Sequence, residues 1–165
     1  MTIIEAFIHE FEQECKTTRK MLALVPAGKN DWAPHEKSMK LGVLANHVAE
    51  LPEWITMSLL THELDFATSP YVARQHDTNE ALLTFAEKAI AEANDALEKG
   101  KQIDLSQTWT LRHGEMVLSK GSKWEMIRMS LSQIIHHRAQ LGVYLRLLNI
   151  PLPGSYGPSA DDTGM

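Results

Sequence analysis

Residues 122–149 read SKWEMIRMSLSQIIHHRAQLGVYLRLLN. Ser122 and Glu125 stand three apart, the spacing at which a capping hydroxyl and a carboxylate satisfy each other's backbone donors. Behind that start Ile127, Leu131, Ile134, Leu141, Leu145 and Leu148 recur at intervals built from four and three. The period predicts an amphipathic helix with one buried seam. Pro151 bars its continuation. A long helix with a single seam cannot bury that seam alone, so the segments that can cover it decide the fold.

Three other stretches share the pattern. Ile4, Ile8, Phe11, Cys15, Thr18, Leu22 and Val25 alternate four and three until Pro26-Ala-Gly28 ends the run. Leu41, Leu44, Val48, Leu51 and Ile55 give the inner face of a second helix, with Ser38 as its expected N-cap and an end near residues 61–65. Pro52 inside it predicts a kink between Val48 and Pro52. Thr78 is placed to cap a third helix, along which Leu83, Ala86, Ile90, Ala93 and Leu97 recur until Gly100 stops it. Between the third and fourth helices the period changes. Trp109, Leu111, Met116 and Leu118 alternate about Arg112-His-Gly114, which fits a short hairpin or simply extended chain. The expectation is an all-α, single-domain four-helix bundle over residues 1–165, with that short segment between helices 3 and 4 and an irregular tail from 153 to 165.

Composition narrows the function classes. A net charge of −5 with scattered Lys and Arg argues against a nucleic-acid partner, which needs a clustered basic surface. No run approaches the ~18 apolar residues of a membrane span. Glu5, Glu10 and Glu12 interrupt the first apolar run, so it does not read as a secretory signal. The single cysteine, Cys15, sits on the seam and fits a reducing, cytoplasmic compartment. No phosphate-binding Gly loop, nucleophile elbow or Cys pair is present.

Eight histidines remain. His9, His35, His62, His76 and His113 fall on polar faces or in loops and read as solvated. His47 follows Leu44 by three and precedes Leu51 by four; His137 stands in the same relation to Ile134 and Leu141. Both therefore point inward. An unsatisfied buried polar group costs about 1–3 kcal/mol, so each needs a partner. Either each imidazole bonds a buried carboxylate or carbonyl, or the two share a metal, for which imidazole suits Zn, Ni, Fe or Cu. Gln133 lies one turn before His137 on the same face. His136 points about 100° away from His137 and reads as a packing or interface residue. Glu50, one turn after His47, is placed to orient that ring, to act as a base on bound water, or to pair with Arg138 if that side chain is buried rather than snorkelling.

Leu44-Ala-Asn-His47-Val-Ala-Glu-Leu-Pro52-Glu-Trp54 resembles the second-helix motif of the DinB-like superfamily. His136-His-Arg-Ala-Gln140-Leu-Gly-Val-Tyr144-Leu-Arg146 resembles its fourth-helix motif, and the tail from Ile150 to Asp161 is similar to the family's ending. The resemblance covers nearly the whole chain. It implies an up-down-down-up bundle, often a homodimer, and a divalent metal, usually Ni or Zn, held by three histidines. One matches His47 and one matches His137; the third position holds Gln133, whose amide oxygen is a weaker donor. It also implies a metal-dependent transferase using a low-molecular-weight thiol such as bacillithiol or mycothiol, or a related hydrolase, acting on a small molecule. The alternative is a non-catalytic dimeric bundle that binds a small ligand or serves in a stress response.

Overall fold

The computed structural model describes residues 1–163. In chain order the elements are α1 (Ile3–Ala23), α2 (Leu41–Leu60), β1 (Glu63–Asp65), α3 (Asn79–Gly100), β2 (Thr108–His113), β3 (Met116–Ser122) and α4 (Lys123–Leu147). The tail from 153 to 163 forms neither helix nor strand; residues 164 and 165 lie outside the described residues. No helix among the described residues is long and apolar enough to cross a membrane.

Three helix starts are capped by side chains, two of them, Thr78 and Ser122, as the sequence predicts. The Thr2 and Ser122 hydroxyls accept from the N–H groups of Glu5 and Glu125, whose carboxylates accept from the cap N–H groups in return. Thr78 accepts from Ala81 N–H and opens α3. α2 departs from expectation. It begins at Leu41 rather than after Ser38, and its cap residue, Lys40, makes no side-chain capping bond. Loop carbonyls serve instead: Leu41 N–H donates to Trp32 O at 2.7 Å and Gly42 N–H to Asn30 O at 3.0 Å. That close approach requires Gly42, since a Cβ there would stand 2.8 Å from Asn30 Cβ. α2 then runs as one helix through Pro52.

The all-α expectation is overturned by a three-stranded mixed sheet in the order β1-β2-β3. β2 and β3 form the antiparallel hairpin that was one of two readings of this segment, turning at Gly114 with φ +60°. β1 pairs with β2 in parallel, Leu64 opposite Leu111. A strand of three residues has no periodicity to read, and its partner lies some fifty positions away. Side chains secure it. Arg112 binds Glu63 through both carboxylate oxygens, at 2.7 and 3.0 Å, and lies 2.6 Å from Asp65 Oδ2. Asp65 Oδ1 accepts from Gly114 N–H and Ala67 N–H, which hold its carboxyl below the usual range.

In the bundle, α1 and α2 each pack against both α3 and α4. The core divides into two apolar clusters. One contains Phe11, Cys15, Ile55, Leu97, Ile127 and Ile134; the other contains Leu22, Leu44, Val48, Leu82, Leu141 and Leu145. Burial pushes the Cys15 thiol up to about 12, which fits its place in the core. Between the clusters on α1 and α4 lies a polar layer. Arg138, 3 % exposed, has Nη1 2.6 Å from Glu14 Oε2 and donates to Glu14 O at 3.0 Å and Thr18 Oγ1 at 3.3 Å. From the tail, Tyr156 accepts from Arg138 Nη2 at 3.0 Å and donates to Glu14 Oε1 at 2.8 Å. Arg138 is thus buried, and its carboxylate partner is Glu14 on the facing helix, not Glu50.

Lys123 opens α4 and is also buried. Its Nζ donates to Ser58 O at 2.9 Å, to Leu59 O at 3.0 Å and to Thr61 O. These are carbonyls at the end of α2, where the helix itself supplies no partner. Replacing Lys123 with Met leaves them without this donor and should lower unfolding free energy by about 2–3 kcal/mol in urea titration. The same change at exposed Lys88 should cost no more than about 0.5 kcal/mol.

The Glu14–Arg138 layer makes a second prediction. Arg138→Met strands a buried carboxylate and should cost about 3–5 kcal/mol, as should Glu14→Leu, whereas the double variant should recover most of that loss. Additive losses in the double variant would show that the two side chains are not coupled.

Candidate functional site

α2 and α4 bring His47 and His137 together, as their inward positions in the sequence imply. The ring centroids are 4.6 Å apart and the planes meet at 77°. Each ring has one nitrogen engaged. His47 Nδ1 lies 2.7 Å from Glu50 Oε1, and His137 Nδ1 lies 2.8 Å from Gln140 Oε1. An ionised carboxylate and an amide oxygen only accept, so both Nδ1 atoms carry a proton, and in its neutral form each ring keeps a lone pair on Nε2. Burial pulls the His137 pKa below 6.5, with its Gln140 bond opposing and the neighbouring His47 and His136 assisting. That ring is therefore neutral at pH 7.

Both rings line a cleft of about 300 Å³ with Leu51, Trp54, Leu111, Met129 and Gln133. Gln133 is exposed at the cleft, one turn before His137 on α4. Glu50, only 4 % exposed, sits behind His47 and is not among the residues lining this cleft. Tyr71 donates to the same Glu50 oxygen at 2.7 Å. His136 is exposed and does not line the cleft, though its ring meets that of His137 edge-on with centroids 4.8 Å apart.

The remaining histidines divide differently from the sequence reading. His9, His35, His62 and His113 are exposed. His76 is not simply solvated: it is half-buried, stacks on Phe85 at 4.7 Å and places Nδ1 2.6 Å from Asn46 Oδ1. It belongs to residues 66–78, which α2 holds at three points. Tyr71 meets Glu50, Arg74 grips both Glu53 oxygens at 2.8 and 3.0 Å, and His76 meets Asn46. A second cleft, of about 420 Å³, lies under this strap; Glu50, Trp54, Phe66, Tyr71 and Arg74 line it. Trp54 borders both clefts. Sequence reasoning gave Tyr71, Gln140 and Trp54 no role. Gln140 alone carried a signal, standing one turn after His137; Tyr71 lies in a stretch without period.

The donor set suits a divalent metal in part. Two imidazoles with Nδ1 held by acceptors are the usual form of metal-binding histidines, and a carboxylate behind one of them is a common support. The third strong donor is lacking: among the described residues no three His, Cys, Asp or Glu side chains are grouped to hold an ion. Gln133 and water are what the cleft offers beside the two rings.

The DinB family matches residues 2–163. A DinB-like protein from Bacillus subtilis superposes with a TM-score of 0.69 at 17 % identity, covering 91 % of this chain and 97 % of that one. A DinB-like protein from Bacillus cereus gives 0.67 at 18 % identity, over 91 % and 95 %. No curated protein matches the chain. At such identities the structural likeness bears on the fold alone, and the fold agrees with the family match across almost every residue: the chain belongs to the DinB family.

Proposed function

We propose that this protein binds a divalent metal ion, Ni, Zn or Fe, through Nε2 of His47 and of His137, with Gln133 or water beside them. We further propose that it acts there as a thiol transferase or hydrolase on a small molecule. The observation that carries this reading is the occupation of both Nδ1 atoms by acceptors, which leaves two lone pairs on rings that share one cleft. A bound divalent ion supplies Lewis acidity, favouring the deprotonated form of a thiol or of water. The chain's own groups do the rest. Glu50 fixes the His47 ring and Gln140 the His137 ring. Leu51, Trp54, Leu111 and Met129 give the cleft apolar walls that suit the body of a small electrophile. With Oε1 already receiving two donors, Glu50 is better placed to orient His47 than to take a proton from substrate.

A second reading has one observation in its favour. Only two strong donors gather, which suits a bundle that has dropped catalysis and uses the cleft for a ligand.

Elemental mass spectrometry separates the two. Purified protein, or protein incubated with excess Ni, Zn or Fe salts and desalted, should hold close to one ion per chain, and His137→Ala and His47→Ala should hold none. At a hundredfold excess over Kd the ion should stabilise the fold by about 2.7 kcal/mol, raising Tm by roughly 5–10 °C. No ion in the wild-type protein after that incubation would leave the non-catalytic reading.

A further inference from the structure

Glu50 is a buried carboxylate with an unusual set of partners. Taking such a charge out of water is costly unless donors surround it. Among the described residues no lysine or arginine pairs with it. Its partners are His47 Nδ1 and the Tyr71 hydroxyl, each 2.7 Å away and both on Oε1. Tyr71 comes from the strap, twenty-one residues further along the chain. Burial and the Glu50 charge push its pKa up to about 12, so the hydroxyl remains a donor at any physiological pH.

We propose that Tyr71 is a positioning residue for His47. By sharing Glu50 Oε1 with His47 Nδ1, its hydroxyl holds the carboxylate in the rotamer that keeps the imidazole proton on Nδ1 and Nε2 open to the cleft. Two donors converging from opposite elements define where Oε1 sits; one donor alone does not. Without the hydroxyl the carboxylate can turn about its last torsion, which is broad. Nδ1 then loses its fixed acceptor, and the proton is free to move to Nε2. The strap reaches the ring only through this contact. Its other links to α2, Arg74 with Glu53 and His76 with Asn46, do not touch Glu50. The use made of His47 rests on the metal reading above, but the position of its proton does not.

The test is therefore made on the metal-free, full-length protein by ¹⁵N NMR of the histidine rings. At a pH at which the ring is neutral, wild type should show His47 as a single Nδ1–H form. Tyr71→Phe keeps the ring but removes the hydroxyl. It should bring in the Nε2–H form and speed exchange of the Nδ1 proton with water roughly tenfold, the worth of one hydrogen bond. Arg74→Ala loosens the strap without touching Glu50 and should leave the His47 signals unchanged. Tm of Tyr71→Phe should stay within about 4 °C of wild type, the effect of losing one modest hydrogen bond. A wild-type spectrum retained in Tyr71→Phe would overturn the proposal. So would the same change in Arg74→Ala, since strap seating and not the hydroxyl would then be responsible. Metal uptake plays no part in this readout, so a protein that binds no ion can still pass or fail it.

Discussion

The first side chain of α4 is clamped to the last carbonyls of α2. Lys123 Nζ donates to three of them, Ser58 O, Leu59 O and Thr61 O, and is buried in doing so. This ammonium settles how α2 and α4 run against each other. One helix ends where the other begins, so they are antiparallel neighbours with a fixed offset. His47 lies thirteen residues before Leu60, and His137 fourteen after Lys123. At about 1.5 Å per residue each is roughly 20 Å from the junction, which puts the two rings at one level. The 4.6 Å between their centroids follows from that register. The same junction orders the sheet. Thr61 hydroxyl accepts from the buried Trp109 indole at 3.0 Å, so β2 is anchored where the two helices meet.

The bundle interior is layered along its length. Two apolar clusters supply most of the buried area, and polar side chains interrupt them at defined heights. On the α1–α4 side the interruption is Glu14 with Arg138 and the tail residue Tyr156. On α2 it is Asn46, His47 and Glu50, met by the strap residues His76 and Tyr71. In both places a segment without regular structure lays a tyrosine hydroxyl onto a buried glutamate. The strap and the tail are therefore seated in part by the polar interior they cover. Arg138 follows His137 directly, so α4 presents the cleft on one side and the ion pair on another, and packing around one constrains the other.

What the sequence made legible was whatever repeats or caps locally. The seams of the helices read correctly apart from α3, where Leu82 and not Leu83 is fully buried, because apolar spacing is a property of neighbours four residues apart. Ser122-x-x-Glu125 closes its own hydrogen bonds within one turn. The failures are contacts made at long range. β1 is three residues held by Arg112 from another element. The start of α2 is set by the carbonyls of Asn30 and Trp32 and not by a capping side chain, so Ser38 was a false signal. Lys123 stands inside a correctly read capping box, yet its burial depends on the end of a helix more than sixty residues earlier. At the site, His47 and His137 were visible from spacing because they share the helical period with Leu44 and Ile134. Tyr71 was not, since nothing in an aperiodic strap marks which residue will reach a glutamate on α2.

The two halves of the cleft differ in charge, and that difference bears on what Gln133 does there. His47 is backed by a carboxylate and His137 by a neutral amide. A carboxylate behind the ring is the stronger support for a metal ligand, so in the proposed site His47 would be the stronger donor of the pair. A histidine in place of Gln133 would add a third basic nitrogen; the glutamine adds an oxygen of lower affinity for a transition metal and no titratable proton. The cleft thus pairs one strongly supported imidazole with weaker donors on α4. In the proposed metal site the firmer hold would come from the α2 side, from a histidine whose hydrogen bonds run through Glu50 to the strap.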